Sequence, residues 1–154
     1  MGPAMPPPPR VSPLASSQLA DAQALLDRLP VAHNPGFALE REFHTDPGLY
    51  QLDLERIWRR GWLFAGHCCE VKRPGDYIVF DVDADSIIVM RGDDGAIHAV
   101  HNTCRHRGMK LCETPSGHVA RIVCPYHQWS YSRHGALLTC GGMDADGDLD
   151  RRDF

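Results

Sequence analysis

The sequence predicts a mostly β fold, an antiparallel sandwich or barrel, preceded by a helical extension. Three observations predict it. From Trp62 onward, short segments rich in β-branched and aromatic residues follow one another closely. Turn-forming clusters separate them. Upstream of Trp62, apolar residues instead recur at helical spacing.

Residues 1–15 hold six of the twelve prolines, including the run Pro6 to Pro9, and read as an extended, disordered leader. Residues 16–61 read as the helical extension. "SSQLADAQALLDRLP" offers serine caps, Leu19, Leu25, Leu26 and Leu29 on one stripe, and Pro30 as a stop. "LYQLDLERIWRRG" places Tyr50, Leu54, Ile57 and Trp58 on one face before Gly61. Residues 62–140 then read as strands: "WLFAGH", "DYIVFDV", "SIIVMR", "AIHAVHN", "VARIVC", "WSYS" and "ALLTC". Between them lie "RPGD", "DAD", "GDDG", "TPSG" and "RHG". Residues 141–154 are a polar tail, in which "DADGDLD" lacks the order of a calcium loop and reads as a solvated acidic run.

The length of 154 residues suits one domain with a real core, and 43% hydrophobic with 23% charged residues reads as globular. A formal charge of −4 offers no basic field for nucleic acid. No apolar run reaches the length of a membrane span, and the N-terminus lacks the apolar core of a signal peptide. The expected compartment is cytoplasmic, where a Cys/His pattern points to metal rather than to disulfides.

That pattern is specific. "CRHRG" contains Cys104 and His106, "CPYHQW" contains Cys124 and His127, and seventeen residues separate His106 from Cys124. Each pair follows a predicted strand, so two neighbouring loops can surround one small group. Thiolates and imidazoles suit zinc, iron or iron–sulfur centres. Pro125 and Gly108 fit tight loops. A structural Cys₂His₂ zinc site, in a zinc-stabilised binding module, accepts the same donors. Zinc fingers, however, usually pair cysteine with cysteine along the chain.

The spacing resembles the Rieske motif, Cys-x-His followed after about seventeen residues by Cys-x-x-His. The resemblance implies an antiparallel Rieske sandwich with a small two-loop cluster-binding subdomain. It implies a 2Fe–2S cluster held by Cys104 and Cys124 on one iron and by His106 and His127 on the other. Respiratory and photosynthetic members carry a disulfide between the loops; Met109 and Tyr126 stand at those positions here. "LERIWRRGWLFAGH", "HNTCRHRG" and "CPYHQWSYSRHGALL" resemble the N-terminal part of Rieske non-haem iron oxygenase α subunits. Gln128, where many ring hydroxylases have glycine, is closer to the branch that demethylates quaternary ammonium compounds.

The implied function is one-electron transfer, as the relay domain of a mono- or dioxygenase. A stand-alone Rieske ferredoxin is the alternative. The implied donor is an NAD(P)H-dependent reductase or a ferredoxin. The implied acceptor is a mononuclear Fe(II) catalytic domain, across a subunit boundary in a trimer. That domain is expected to be absent from this chain, so no catalytic residue is assigned. His33, His44, His67, His98, His118 and His134 show no helical pairing or carboxylate context and read as surface or core residues. Cys68 and Cys69 read as buried packing residues, and Cys112 and Cys140 remain ambiguous. Arg105 and Arg107 could dock an acidic reductase or simply be solvated. Trp129 and Tyr131 are expected to pack beneath the second loop. Without the Gly-Ser continuation after His127, few donors reach the cluster. Its potential is therefore expected low in the range of about −150 to +300 mV.

Overall fold

The computed structural model describes residues 14–32, 34–141, 143 and 150. Of the leader expected over residues 1–15, all but Leu14 and Ala15 lie outside them, as do His33 and most of the polar tail. The chain folds as two compact units that divide between Phe64 and Ala65.

In the first unit, α1 spans Ser16–Ala32, α2 spans Glu42–Thr45 and α3 spans Pro47–Asp53. Ala22 and Leu25 of α1 bury against Leu49 and Leu52 of α3. Gly48 permits this approach, since a Cβ there would lie 2.6 Å from that of Ala22. Asp46 starts α3 by accepting a hydrogen bond from the Leu49 N–H at 2.9 Å, with Pro47 at the first helical position. Two sequence expectations fail here. Pro30 does not stop α1, which continues to Ala32. Pro30 lacks only its own N–H, and it sits in the last turn, where little helix remains to disturb. The second predicted helix changes character at Leu54. Leu54–Trp58 form a π-helical turn, with the Arg59 N–H reaching the Leu54 carbonyl at 2.9 Å. The wider turn rotates Ile57 and Trp58 out of the predicted stripe. Leu54 is buried, whereas Tyr50, Ile57 and Trp58 are exposed.

The second unit is antiparallel β. β1 (Asp76–Val82), β2 (Asp85–Arg91), β3 (Ile97–His101) and β4 (Ser116–His118) form a sheet in the order β3-β2-β1-β4. β5 (Ile122–Val123), β6 (Ser130–Tyr131) and β7 (Leu137–Thr139) form a second sheet in that order. Tyr77, Ile88 and Met90 of the first sheet share one core with Ile122, Trp129, Tyr131 and Leu137 of the second. The fold is therefore the predicted mostly β, antiparallel class.

Residues 62–67 were expected as a strand and adopt no regular structure. Cys68 and Cys69, expected to be buried, are exposed in a 3-10 turn (Cys68–Glu70). His67 caps that turn, its Nδ1 accepting from the Cys69 N–H at 3.2 Å, while Glu70 accepts from the His67 N–H at 2.7 Å. Ser116 and Gly117 of "TPSG", read as a turn, instead begin β4. Its pairing of Ile78 with Ser116 and Asp76 with His118 is a long-range contact that local propensity does not encode.

Candidate metal centre

The two loops share one backbone frame. In the first, the Cys104 N–H donates to the Met109 carbonyl and the Gly108 N–H to the Cys104 carbonyl, both at 2.8 Å. In the second, the Cys124 N–H donates to the Trp129 carbonyl at 2.8 Å and the Gln128 N–H to the Cys124 carbonyl at 3.1 Å. Each frame needs a left-handed residue four positions after its cysteine. Gly108 fills that place with φ 74° and Gln128 with φ 61°. The histidine falls at the second position after Cys104 but at the third after Cys124.

Both thiols point inward: Cys104 and Cys124 are each only 1% exposed. The imidazoles stand at the surface, His106 half-buried and His127 exposed. Their ring centroids lie 4.7 Å apart at an interplanar angle of 71°. Trp129, itself buried, stacks on His106 at 4.8 Å and 8°. Burial, then the positive charge of His127 and of Arg107, hold His106 below the usual histidine pKa. Of the four residues singled out by spacing, the structure sets the two imidazoles beside each other at the surface and buries the two thiols in the common core.

Tyr131 lies closer to this group than its sequence reading suggested. Its hydroxyl is 3.3 Å from Cys104 Sγ and accepts the Arg105 N–H at 3.1 Å. The hydroxyl oxygen already accepts that backbone N–H, and its single proton is available to the sulfur. Burial first, and then the neighbouring Cys104, push the Tyr131 hydroxyl above its usual range, which keeps the proton in place. The signal lies in register rather than motif. Tyr131 follows Trp129 by two residues along the chain and stands across the core from the first loop.

Asn102 is a second residue that the motif leaves unassigned. It is 1% exposed and uses every polar atom of its side chain. Its Nδ2 donates to the Cys112 carbonyl at 2.8 Å and to Ser86 Oγ at 3.1 Å. Its Oδ1 accepts the N–H groups of Leu111 at 3.0 Å and Cys112 at 2.7 Å. The returning limb of the first loop is thereby tied to β3. Cys112 and Cys140, ambiguous in the sequence, are buried in the common core. Burial raises the Cys112 thiol pKa.

Three of the remaining histidines do have a carboxylate context, contrary to the sequence reading. His118 Nδ1 lies 2.8 Å from Asp76, and His98 Nε2 lies 3.1 Å from Asp94. His134 joins the second pair.

Among the described residues, no helix is long and apolar enough to cross a membrane. Residues 61–145 match the family model of the Rieske [2Fe-2S] domain. The chain is 43% identical over 138 residues to the glycine betaine monooxygenase oxygenase subunit of Chromohalobacter salexigens, covering 89% of this chain and 30% of that protein. It is 38% identical over 118 residues to the chlorobenzene dioxygenase α subunit of a Cupriavidus species, covering 77% of this chain and 25% of that one. Among solved structures, naphthalene 1,2-dioxygenase from Rhodococcus superposes with a TM-score of 0.72 at 30% identity, over 91% of this chain and 31% of that one. The quaternary ammonium Rieske monooxygenase CntA does so with a TM-score of 0.68 at 31% identity, over 73% of this chain and 31% of that one. The chain therefore spans under a third of the length of the curated relatives it matches. Paired loops, two buried thiols, two adjacent imidazoles at the surface, and these likenesses lead to one assignment: the chain belongs to the Rieske [2Fe-2S] domain family, whose members bind a 2Fe–2S cluster and transfer electrons.

Proposed function

We propose that Cys104, His106, Cys124 and His127 hold the 2Fe–2S cluster, and that the chain relays single electrons within an oxygenase α subunit. The observation that carries this reading is the repeated loop frame, which buries both thiols and sets the imidazoles beside each other at the surface. The donor set fits the group: thiolates suit iron–sulfur centres, and a neutral imidazole is the form that ligates. When bound, the cluster supplies a one-electron carrier. With two histidines replacing two cysteines it is less negative than a four-cysteine cluster, and so accepts an electron more readily.

The chain's own residues do the rest. The frame orients the thiols, Tyr131 donates to Cys104 Sγ, and Trp129 holds the His106 ring by stacking. An NAD(P)H-dependent reductase, directly or through a ferredoxin, reduces the site from its exposed imidazole side. Arg105 and Arg107, beside His106 on the first loop, suit an acidic donor. The acceptor is a mononuclear-iron catalytic domain, reached across a subunit boundary in a trimer. The likeness to the betaine monooxygenase favours a complete protein that oxidises quaternary ammonium compounds over one that hydroxylates aromatic rings. We assign the relay domain to residues 62–140 and the helical extension to residues 16–61.

Anaerobically reconstituted protein should contain two irons and two acid-labile sulfides per chain, measured by elemental and sulfide analysis. One tightly held zinc without sulfide would sink the assignment.

Tyr131→Phe should lower the one-electron midpoint potential by about 40–60 mV. The lost hydrogen bond contributes about 1 kcal/mol more to the reduced, more negative state, and tenfold in a one-electron equilibrium is about 59 mV. Protein-film voltammetry on both proteins decides it, and equal midpoints would mean that the hydroxyl does not act on the sulfur.

A further inference from the structure

Asp94, His98 and His134 converge from two hairpins. Asp94 lies in the turn between β2 and β3, and His98 is the second residue of β3. His134 lies in the turn between β6 and β7, which belong to the other sheet. His98 Nε2 is 3.1 Å from each Asp94 carboxylate oxygen and 3.0 Å from His134 Nδ1. The two rings meet edge-on, with centroids 4.4 Å apart at 80°. One ligand atom from each of the three residues lies within 4.8 Å of the other two.

Hydrogen bonding alone fits this arrangement badly. If His98 Nε2 carries a proton, one N–H serves three acceptors: Oδ1, Oδ2 and His134 Nδ1. If His134 donates instead, the Nε2 lone pair is spent on that proton and faces the carboxylate with nothing between them. A cation resolves both cases, because all three groups then present lone pairs to one point. The two spacings from His98 Nε2, 3.1 and 3.0 Å, are right for it. Zinc–nitrogen and zinc–oxygen bonds of about 2.0–2.2 Å in a tetrahedral shell set ligand atoms roughly 3.3 Å apart.

The surroundings agree. Gly92 leaves the space open, since a Cβ there would lie 2.6 Å from Asp94 Oδ1 and 2.7 Å from His98 Cδ2. The Ala96 N–H donates to Asp94 Oδ1 at 3.0 Å, which orients the carboxylate and leaves Oδ2 to the ion. The nearby Arg133 guanidinium is engaged by Asp93 in an ion pair that joins the same two turns.

We propose that Asp94, His98 and His134 bind one divalent late first-row transition ion, with zinc as its representative, at a site separate from Cys104, His106, Cys124 and His127. Two imidazoles and one carboxylate favour such an ion over magnesium or calcium. Three protein ligands leave the fourth position to water, in keeping with side-chain exposures of 49% for Asp94 and 28% for His98. The ion clips the β2–β3 turn of one sheet to the β6–β7 turn of the other, so it binds the folded chain and stabilises it by mass action.

Untagged, cluster-loaded protein freed of loose metal by chelator and dialysis is titrated with zinc chloride, and bound zinc and iron are measured after equilibrium dialysis. One zinc per chain should bind without loss of iron or of the visible cluster spectrum. His134→Gln and Asp94→Asn should each weaken that binding at least tenfold, whereas Asp81→Asn, at an exposed carboxylate paired with Lys110, should not. Saturating zinc should raise the melting temperature of the parent protein and not that of His134→Gln. Failure to retain zinc, unchanged affinity in both site variants, or zinc uptake matched by iron loss would each overturn the proposal.

Discussion

Cys124→Ala should abolish the cluster while leaving a folded protein. The Cys124 side chain is 1% exposed, but the loop frame is built from its backbone, through the Trp129 carbonyl and the Gln128 N–H. Alanine keeps both of those bonds and removes one sulfur, a small cavity worth on the order of 1 kcal/mol. The cluster has no substitute ligand there, because an alanine methyl donates nothing. Iron and labile sulfide should fall to background, the visible absorption should disappear, and far-ultraviolet dichroism should remain. His106→Ala should lose the cluster too, with the added loss of the ring that stacks on Trp129. Full iron content in Cys124→Ala would remove that residue from the ligand set. Loss of fold together with iron would mean that the thiol, and not the backbone, sets the loop.

Asn102→Ala should be the most destabilising single change near the site that removes no proposed ligand. Truncation strands the Cys112 N–H and carbonyl and the Leu111 N–H, all of which now pair with the side chain. Each buried polar group left without a partner costs about 1–3 kcal/mol. A connected network lost together should cost about 3–5 kcal/mol. In a unit of this size, each kcal/mol corresponds to roughly 4–8 °C in melting temperature. Denaturant unfolding of the cluster-loaded variant measures the effect. A cost below about 1 kcal/mol would show that water or a shifted backbone replaces the amide. The cluster should also be released faster in this variant, because the returning limb of the first loop is no longer tied to β3.

What the sequence made legible follows from distance along the chain. β1, β2 and β3 were readable because each runs five to seven residues, long enough for a β pattern, and turn residues bound them. β5, β6 and β7 have two or three residues each, too few for a period, and their existence was read from β-branched and aromatic content alone. β4 was missed because Ser116 and Gly117 favour turns, and only pairing with β1 makes them extended. The four proposed ligands were visible because each loop carries its pair within three residues. Tyr131 reaches Cys104 over 27 positions, and His134 reaches His98 over 36. Such contacts depend on which hairpins face each other, and no local spacing announces that. Asn102 stood in the quoted motif, yet its role depends on where Cys112 returns.

Gln128 bears on how the motif itself should be written. Its φ of 61° costs a residue with a Cβ roughly 1–2 kcal/mol relative to an ordinary conformation. Glycine meets the same demand without that strain, as Gly108 does in the matching place of the first loop. The requirement at both positions is thus geometric: the chain must turn left there for the N–H to reach back to the cysteine carbonyl. The second loop tolerates a side chain in this strained turn, so what each loop requires is the turn itself rather than the absence of a Cβ.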